Sequence, residues 1–220
     1  MRTYIDEEAL MKLIQRQGYL DFLRRNRNRP IVKVVSGIRR CGKSTLFRLF
    51  KDELLSEGVK PEQIISINFE ELEYEHLREY HALYQYILER MQPDEMNYIF
   101  LDEIQHVDQF HRVVDSLFVK ENTDLYITGS NAYFMSSDIA TLLTGRYVEI
   151  QMLPLSFSEF YHSKYDGNQY SLIPAYESYL RESSFPYTQQ LGGEDFDIQE
   201  YLRGLYNTCL LYTTDAADEL

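Results

Sequence analysis

The sequence has little cysteine, since Cys41 and Cys209 are the only two in 220 residues. Two cysteines are too few for a disulfide framework, and this number fits a reducing cytoplasm. No run approaches the roughly 18 consecutive apolar residues that cross a bilayer, and the first residues lack the apolar core of a signal peptide. These absences predict a cytoplasmic globular protein that has no membrane partner.

Basic residues are scarce outside the first quarter of the chain. Residues 1–51 contain 13 Lys/Arg and 4 Asp/Glu, a balance of +9, whereas the remainder has a balance of −22. An acidic bulk argues against a protein that coats nucleic acid, while a basic first quarter leaves a local anion site open. The run RRNRNR, Arg24 to Arg29, is either a phosphate contact or a solvated helix end.

Segments of strand-like and helix-like periodicity alternate along the chain after Pro30. Short apolar runs predict strands, which are IVKVVSG, IISINFE, NYIFLDEI, DLYITGSN and RYVEIQ. Helical patterns lie between most of them, and the segment 74–91, YEHLREYHALYQYILERM, predicts one long helix. Such alternation predicts an α/β fold with a parallel sheet covered on both faces. The pattern becomes helical and Tyr-rich near 155–165, where we expect a domain boundary.

The segment GIRRCGKS, Gly37 to Ser44, matches the phosphate-loop pattern G-x-x-x-x-G-K-[ST] between a predicted strand and a predicted helix. Backbone N–H groups of such a loop converge on phosphates, with the positive end of the following helix behind them. Lys43 is expected at the β- and γ-phosphates and Ser44 on Mg²⁺. The predicted nucleotide-binding residues are Gly37, Ile38, Arg39, Arg40, Cys41, Gly42, Lys43, Ser44 and Thr45, with Thr45 near the α-phosphate.

Three side chains of this loop have open alternatives. Arg39 and Arg40 either contact phosphate or base, or face the acidic surface of the protein. Cys41 is either a somewhat acidic thiol near a helix N-terminus or a small residue that fills the loop.

Two adjacent carboxylates follow the apolar run YIFL, at Asp102 and Glu103. The carboxyl ends of strands are where ligands bind in open parallel sheets. We therefore expect Asp102 to hold Mg²⁺ through water and Glu103 to act as the general base that polarises an attacking water.

The strand LYITG ends in the polar residues Ser130 and Asn131. If this strand lies beside the strand of the phosphate loop, one of these side chains faces the γ-phosphate and orients the attacking water. The alternative is an ordinary polar turn after a strand.

Five segments, in order, resemble a family of prokaryotic ATPases in the AAA superfamily: VVSGIRRCGKSTL, ISINFEE, FLDEIQ, ITGSNA and LLTGRYVEIQMLPLSFSEF. The resemblance covers roughly residues 15–210. It implies a three-layer P-loop NTPase sandwich with a five-stranded parallel sheet in the order 5-1-4-3-2. It also implies hydrolysis of ATP with Mg²⁺.

The resemblance also assigns roles to residues outside the phosphate loop. Asn131, or its neighbour Ser130, corresponds to the polar sensor of such ATPases. Asn68 lies where related ATPases place a residue that restrains the catalytic glutamate, here Glu103. Arg146 either reaches a γ-phosphate, in cis or in trans, or pairs with acids at the start of a strand.

Four parts of the chain are expected from the resemblance: a helical segment 1–29, an ATPase domain 30–160, the helical start of a C-terminal domain 161–210, and a tail 211–220. The tail resembles translated adapter sequence, so a C-terminally truncated reading frame is expected. The missing domain would define the partner.

The predicted function is that of a Mg²⁺-dependent ATPase that couples hydrolysis to a switch in, or remodelling of, an unknown protein or DNA partner. A homo-oligomer is compatible with this function. Two alternatives stay open: a nucleotide-gated binding module with little turnover, and a small-molecule kinase that uses the same loop.

Overall fold

A computed structural model describes residues 14–129, 143, 145–165, 170–190 and 195–207. These residues divide into two units. The first unit is Gln17–Met152, and the second joins residues 14–16 to the described residues from Leu153 onward. No helix in the described ranges is long and apolar enough to cross a membrane.

The first unit is built on a five-stranded sheet in which every neighbouring pair is parallel. The strands are β1 (Val32–Gly37), β2 (Ile64–Asn68), β3 (Asn97–Asp102), β4 (Thr123–Gly129) and β5 (Tyr147–Met152). Their order is β2-β3-β4-β1-β5. This is the order 5-1-4-3-2 counted from the other edge, so the predicted fold and strand order are confirmed.

Burial along the strands follows their place in the sheet. All residues of β1 and β3 are buried, and only the first residue of β4 is not. Strands covered on both faces have near-continuous apolar runs of this kind. Burial alternates along the edge strand β2 and is incomplete along the other edge strand, β5.

Among the described residues of the first unit, four helices cover the two faces of the sheet. They are α1 (Gln17–Asn26), α2 (Lys43–Ser56), α3 (Tyr80–Arg90) and α4 (Phe110–Phe118). One apolar cluster joins α1 and α2 to the sheet through Leu23, Phe50 and Tyr126. A second cluster joins α3 and α4 to the opposite face through Ile87 and Val114. The result is the predicted three-layer sandwich.

The single helix predicted over 74–91 is wrong, because the structure has a 3₁₀ segment at Leu72–Leu77 and then α3. Glu79 separates them in an extended conformation, with φ −87° and ψ 127°. Its carboxylate accepts a hydrogen bond from the backbone N–H of Ala82 at 2.9 Å. This N-terminal cap satisfies a helix-end donor and starts a new helix.

The basic run that begins in the last turn of α1 forms ion pairs with acids of its own unit. Arg24 Nε donates to Glu53 Oε1 at 2.6 Å, and Arg27 forms an ion pair with Glu57. Exposed pairs of this kind contribute little stability, with a median of about 0–1 kcal/mol. They nevertheless direct these two guanidinium groups to the carboxylates at the end of α2, which supports the solvated helix end over a phosphate contact.

A buried ion pair joins the central strands β1 and β4. The side chains of Lys33 and Asp124 are both fully buried and in contact, and Lys33 Nζ also donates to Arg29 O at 2.9 Å. Asp124 Oδ2 accepts from Tyr126 Oη at 2.7 Å and from the backbone N–H of Asn28 at 2.8 Å. The charges are thus compensated by several hydrogen bonds, as burial requires.

The described part of the second unit contains three helices, α5 (Phe157–Tyr165), α6 (Leu172–Glu182) and α7 (Asp195–Leu205), and a 3₁₀ turn at Pro186–Gln190. The buried Arg16 forms a fork with Glu159, with Nε–Oε1 at 2.8 Å and Nη2–Oε2 at 3.1 Å. Although burial opposes it, hydrogen bonds from Arg16 and Ser156 lower the pKa of Glu159. The pair therefore stabilises the unit above the ordinary pKa of a glutamate and loses that contribution as the pH falls.

The division between the units falls close to the predicted boundary but differs in detail. The chain leaves the first unit after Met152, somewhat before the predicted 155–165. Helix α1, predicted as part of a separate segment 1–29, belongs to the first unit because Leu20 and Leu23 lie in the cluster beneath β1. The predicted tail 211–220 lies outside the described residues.

Candidate nucleotide-binding site

The candidate site lies at the carboxyl edge of the sheet. Strands β1, β3 and β4 are neighbours and run parallel, so their last residues, Gly37, Asp102 and Gly129, share this edge. The loop after β1 leads directly into α2, which begins at Lys43. The positive end of α2 therefore faces the space above the central strands.

Two glycines allow the loop to take its path. A Cβ atom at Gly37 would lie 2.3 Å from the carbonyl oxygen of Met152 and 3.0 Å from Cys41 Sγ, so the neighbouring strand β5 leaves no room for a side chain. Gly42 has φ +105° immediately before α2, a conformation that strains other residues. Cys41 is fully buried beside Gly37, which favours its interpretation as a residue that fills the loop.

The other loop side chains point outwards. Arg39 Nη2 donates to Glu70 Oε1 at 2.7 Å, and both side chains are exposed. Arg40 is exposed, with φ +65°, and 37% of the surface of Ile38 is exposed. For Arg39, the structure shows the contact with the acidic surface that the sequence left as an alternative.

Lys43 is almost completely buried, with 4% of its surface exposed. Its Nζ donates to Gly37 O at 3.2 Å and to Ile38 O at 3.4 Å. It also lies 3.1 Å from Glu103 Oε1. The loop carbonyls and the carboxylate therefore hold the ammonium group at the centre of the loop.

Asp102 lies beneath the first turn of α2, with 6% of its surface exposed. Burial raises the pKa of its carboxyl group, while side-chain hydrogen bonds from Ser44 and Thr128 lower it in part. A hydroxyl and a carboxylate oxygen are hard ligands of the kind that Mg²⁺ prefers. Ser44 and Asp102, the two predicted metal ligands, are thus brought together, and their chemistry fits the ion.

Glu103 has an unusual backbone conformation for a residue other than glycine, with φ 55° and ψ 50°. Such left-handed residues carry strain of about 1–3 kcal/mol and occur at functional sites. Its Oε1 faces Lys43 at 3.1 Å, and its Oε2 accepts from Gln105 Nε2 at 2.5 Å. The turn therefore directs the carboxylate towards the loop lysine.

Thr128 connects both acids, and it is not among the site residues predicted from the sequence. Its Oγ1 accepts from the backbone N–H of Glu103 at 2.9 Å and donates to Asp102 Oδ1. A sequence signal existed: the strand LYITG places a small hydroxyl just before its end, on the strand expected beside β3. The predicted site residues, Ser130 and Asn131, instead follow that strand.

We expect Thr128→Val to lower the free energy of unfolding by about 1–3 kcal/mol. Valine keeps the shape but leaves the N–H of Glu103 and the carboxylate of Asp102 without this partner. Thr123→Val is the matched control, because the hydroxyl of the half-buried Thr123, at the other end of β4, has its one proton shared between two backbone carbonyl acceptors. Urea unfolding measures the free energy of unfolding of both variants. A decrease for Thr128→Val that is no larger than the decrease for Thr123→Val would contradict the expectation.

Asn68 ends β2 in register with Asp102. Its Oδ1 accepts from the backbone N–H of Glu70 at 3.1 Å. Within the described residues no hydrogen bond joins Asn68 to Glu103, whose two carboxylate oxygens face Lys43 and Gln105 instead. The structure thus brings Asn68 to the edge of the site without the expected contact.

Arg146 lies at the amino ends of the strands, opposite the carboxyl edge that holds the candidate site. Its backbone O accepts from the N–H of Val32 at the start of β1, and its Nη1 donates to Asp115 Oδ1 at 2.5 Å. A six-residue strand spans roughly 20 Å, so this position does not fit a contact with a phosphate bound in the same chain. The ion pair at a strand start is what the structure shows, and a contact in trans stays a prediction.

Of the three remaining predicted residues, the structure describes only Thr45. Thr45 is half-buried in the first turn of α2. Ser130 and Asn131 lie outside the described residues, so their predicted roles stay predictions.

Comparison with known proteins adds a family match over most of the first unit. Residues 29–161 match the model of the family described as AAA domain. An uncharacterized protein of Haemophilus influenzae is 42% identical over 176 residues, which cover 79% of this chain and 44% of that protein. An uncharacterized protein of Methanocaldococcus jannaschii is 30% identical over 191 residues, which cover 80% of this chain and 41% of that protein.

The fold is also similar to that of AMPPCP-bound DnaA from Aquifex aeolicus. The TM-score is 0.50 at 10% identity, and the match covers 94% of this chain and 66% of that one. The chain spans less than half the length of the two curated relatives described above.

Proposed function

The chain belongs to the AAA domain family, and from this premise we propose that it binds ATP with Mg²⁺ and hydrolyses the terminal phosphoanhydride bond. One observation carries the proposal: Lys43, Glu103, Thr128, Asp102 and Ser44 form an unbroken series of side-chain and backbone contacts at the carboxyl edge. The series contains the lysine, the two carboxylates and the serine hydroxyl to which the proposal gives roles in phosphate binding, metal binding and proton transfer.

The phosphate loop and α2 bind the triphosphate. The loop N–H groups and the positive end of α2 attract the phosphate oxygens. Lys43 supplies a compact positive charge to the β- and γ-phosphates, for which it leaves the Gly37 and Ile38 carbonyls. That the similar DnaA structure holds AMPPCP supports a nucleotide as the ligand.

Ser44 and Asp102 would hold Mg²⁺, Asp102 through water. When bound, the ion neutralises charge on the phosphate oxygens. Thr128 keeps Asp102 in place beneath α2 by a hydrogen bond from its Oγ1. Burial raises the pKa of Asp102 and so favours its neutral form. The hydrogen bonds from Thr128 and Ser44 oppose this effect and favour the ionised form that a metal requires.

Glu103 acts as the general base. Its carboxylate accepts a proton from water as the water oxygen bonds to the γ-phosphorus and the bond from that phosphorus to the bridging oxygen breaks. The products are ADP and inorganic phosphate. The sequence predictions that Ser130 or Asn131 orients this water, and that Asn68 restrains Glu103, belong to the same proposal.

Hydrolysis is proposed to drive a switch in, or remodelling of, a protein or DNA partner in the cytoplasm. A contact of Arg146 with the γ-phosphate of a second copy belongs to this proposal and requires a homo-oligomer. The two curated relatives carry no described activity, so the partner is not identified by them.

The decisive experiment measures phosphate release from ATP by the purified chain without an added acceptor. We expect release that depends on Mg²⁺ and stops with a chelator, and in Ser44→Ala we expect the Mg²⁺ needed for half-maximal release to rise about tenfold or more. Ser56→Ala, in the exposed last turn of the same helix, is the matched hydroxyl control.

The other outcomes distinguish the alternatives. Phosphate transfer only after addition of a small acceptor would favour a kinase. Tight binding of ATP with no release would favour a nucleotide-gated binding module. Either outcome overturns the proposed ATPase.

A further inference from the structure

Gln105 makes a direct contact with the carboxylate of the proposed base. It lies in the short 3₁₀ turn Ile104–His106 that follows Glu103. Its Nε2 donates to Glu103 Oε2 at 2.5 Å. The other carboxylate oxygen, Oε1, faces Lys43. Gln105 and Lys43 therefore hold the two oxygens of Glu103 separately.

The orientation of the Gln105 amide follows from its chemistry. An ionised carboxylate only accepts hydrogen bonds, so the amide nitrogen must be the atom that faces Glu103. The amide oxygen, Oε1, is buried and has no hydrogen-bond partner among the described residues. Burying an acceptor without a partner costs free energy. The hydrogen bond to Glu103 is thus the one polar contact in the described structure that accounts for an amide at this position.

The two partners of Glu103 differ in what happens to them when ATP binds. Under the proposed function, Lys43 turns to the phosphates and gives up its contact with Glu103. Asn68, which the sequence placed in a restraining role, makes its hydrogen bond to Glu70. Gln105 lies in the turn that follows Glu103, and within the described residues its side chain forms no hydrogen bond to the phosphate loop. Its hydrogen bond to Glu103 can therefore persist.

We propose that Gln105 is a positioning residue, which holds the Glu103 carboxylate in the orientation that accepts the proton of water. This inference rests on the proposed function and adds a residue to its mechanism. Gln105 acts through Glu103 and exchanges no proton itself. A misplacement of a reacting group by about 1 Å can cost 10²-fold in rate.

The test replaces Gln105 by Met, which keeps an unbranched side chain of similar length and removes the amide. We expect kcat for phosphate release to fall about 10- to 100-fold, while the KM for ATP changes by less than about threefold because Lys43, Ser44 and Asp102 are untouched. His106→Ala is the matched control, since His106 is the exposed next residue of the same turn. It should leave kcat unchanged.

A double-mutant cycle separates positioning from a merely structural role. In a Glu103→Gln background, Gln105→Met should cause little further loss of the single-turnover rate, because the group through which it acts is already gone. Independent, additive losses would overturn the proposal. If Gln105→Met does not fold, Gln105→Leu provides the same test with an uncharged side chain that lacks the donor.

The outcomes distinguish this inference from the function on which it rests. Wild-type chain that releases no phosphate overturns both. Wild-type activity with unchanged kcat in Gln105→Met overturns the positioning role alone, and so does a rise in KM without a change in kcat.

Discussion

Replacing Lys43 with alanine is expected to weaken ATP binding by more than about 100-fold, a loss of roughly 3 kcal/mol. The ammonium group is buried, and the loop carbonyls hold it where phosphates would lie. Its removal deletes a charge-assisted contact. It also leaves the carboxylates of Asp102 and Glu103 next to the triphosphate with no lysine to compensate them.

Lys60→Ala is the matched control for this prediction. It removes the same charge from an exposed position, where Lys60 pairs with Glu95 on the surface. Equilibrium binding of a fluorescent ATP analogue measures both variants. Near-normal affinity in Lys43→Ala would remove the phosphate loop from the proposed function, whereas a loss in both would indicate a general effect of net charge.

The second large effect is expected for Glu103→Gln, which should retain ATP but lose turnover by about 10²- to 10⁴-fold. Glutamine has the same shape and cannot accept a proton from water. Binding should be equal or tighter, because a negative charge 3.1 Å from the phosphate-binding lysine is removed. The combination of retained binding and lost turnover is what a general base predicts.

Single-turnover phosphate release, with enzyme in excess over ATP, measures this loss without interference from product release. Glu75→Gln is the control, since Glu75 is an exposed acid on the 3₁₀ segment Leu72–Leu77. Unchanged turnover in Glu103→Gln would exclude Glu103 as the base. A parallel loss of binding would mean that the carboxylate is needed to shape the loop around Lys43.

Much of the fold was predictable because its signals are local. The buried strands β1 and β3 are mostly apolar, and the glycines of GIRRCGKS identify the turn between β1 and α2. The strand order came from the resemblance to a family, since a parallel sheet can join the same strands in several orders. Helix α3 was placed correctly but begun too early, because its cap depends on the conformation of the single residue Glu79.

The site was predictable where chemistry is fixed by a motif and unpredictable where it depends on register. The proximity of Lys43, Ser44, Asp102 and Glu103 followed from strand ends that share an edge. The role of Thr128 depends on its place beside Asp102 in the β3–β4 ladder, which composition does not reveal. The contact of Gln105 with Glu103 depends on a left-handed backbone conformation at Glu103.

The buried pair of Lys33 and Asp124 bears on how the sheet assembles. Strand β4 follows both β1 and β3 in the sequence, but in the sheet it lies between them. An arrangement in which β1 lies directly against β3 would bury the Lys33 charge without its carboxylate, at a cost of about 3–5 kcal/mol. The pair thus disfavours a sheet in which β1 and β3 are hydrogen-bonded to each other without β4 between them. Since β4 also carries Thr128, the same penalty disfavours a misassembled sheet in which Asp102 and Glu103 lack their shared hydroxyl.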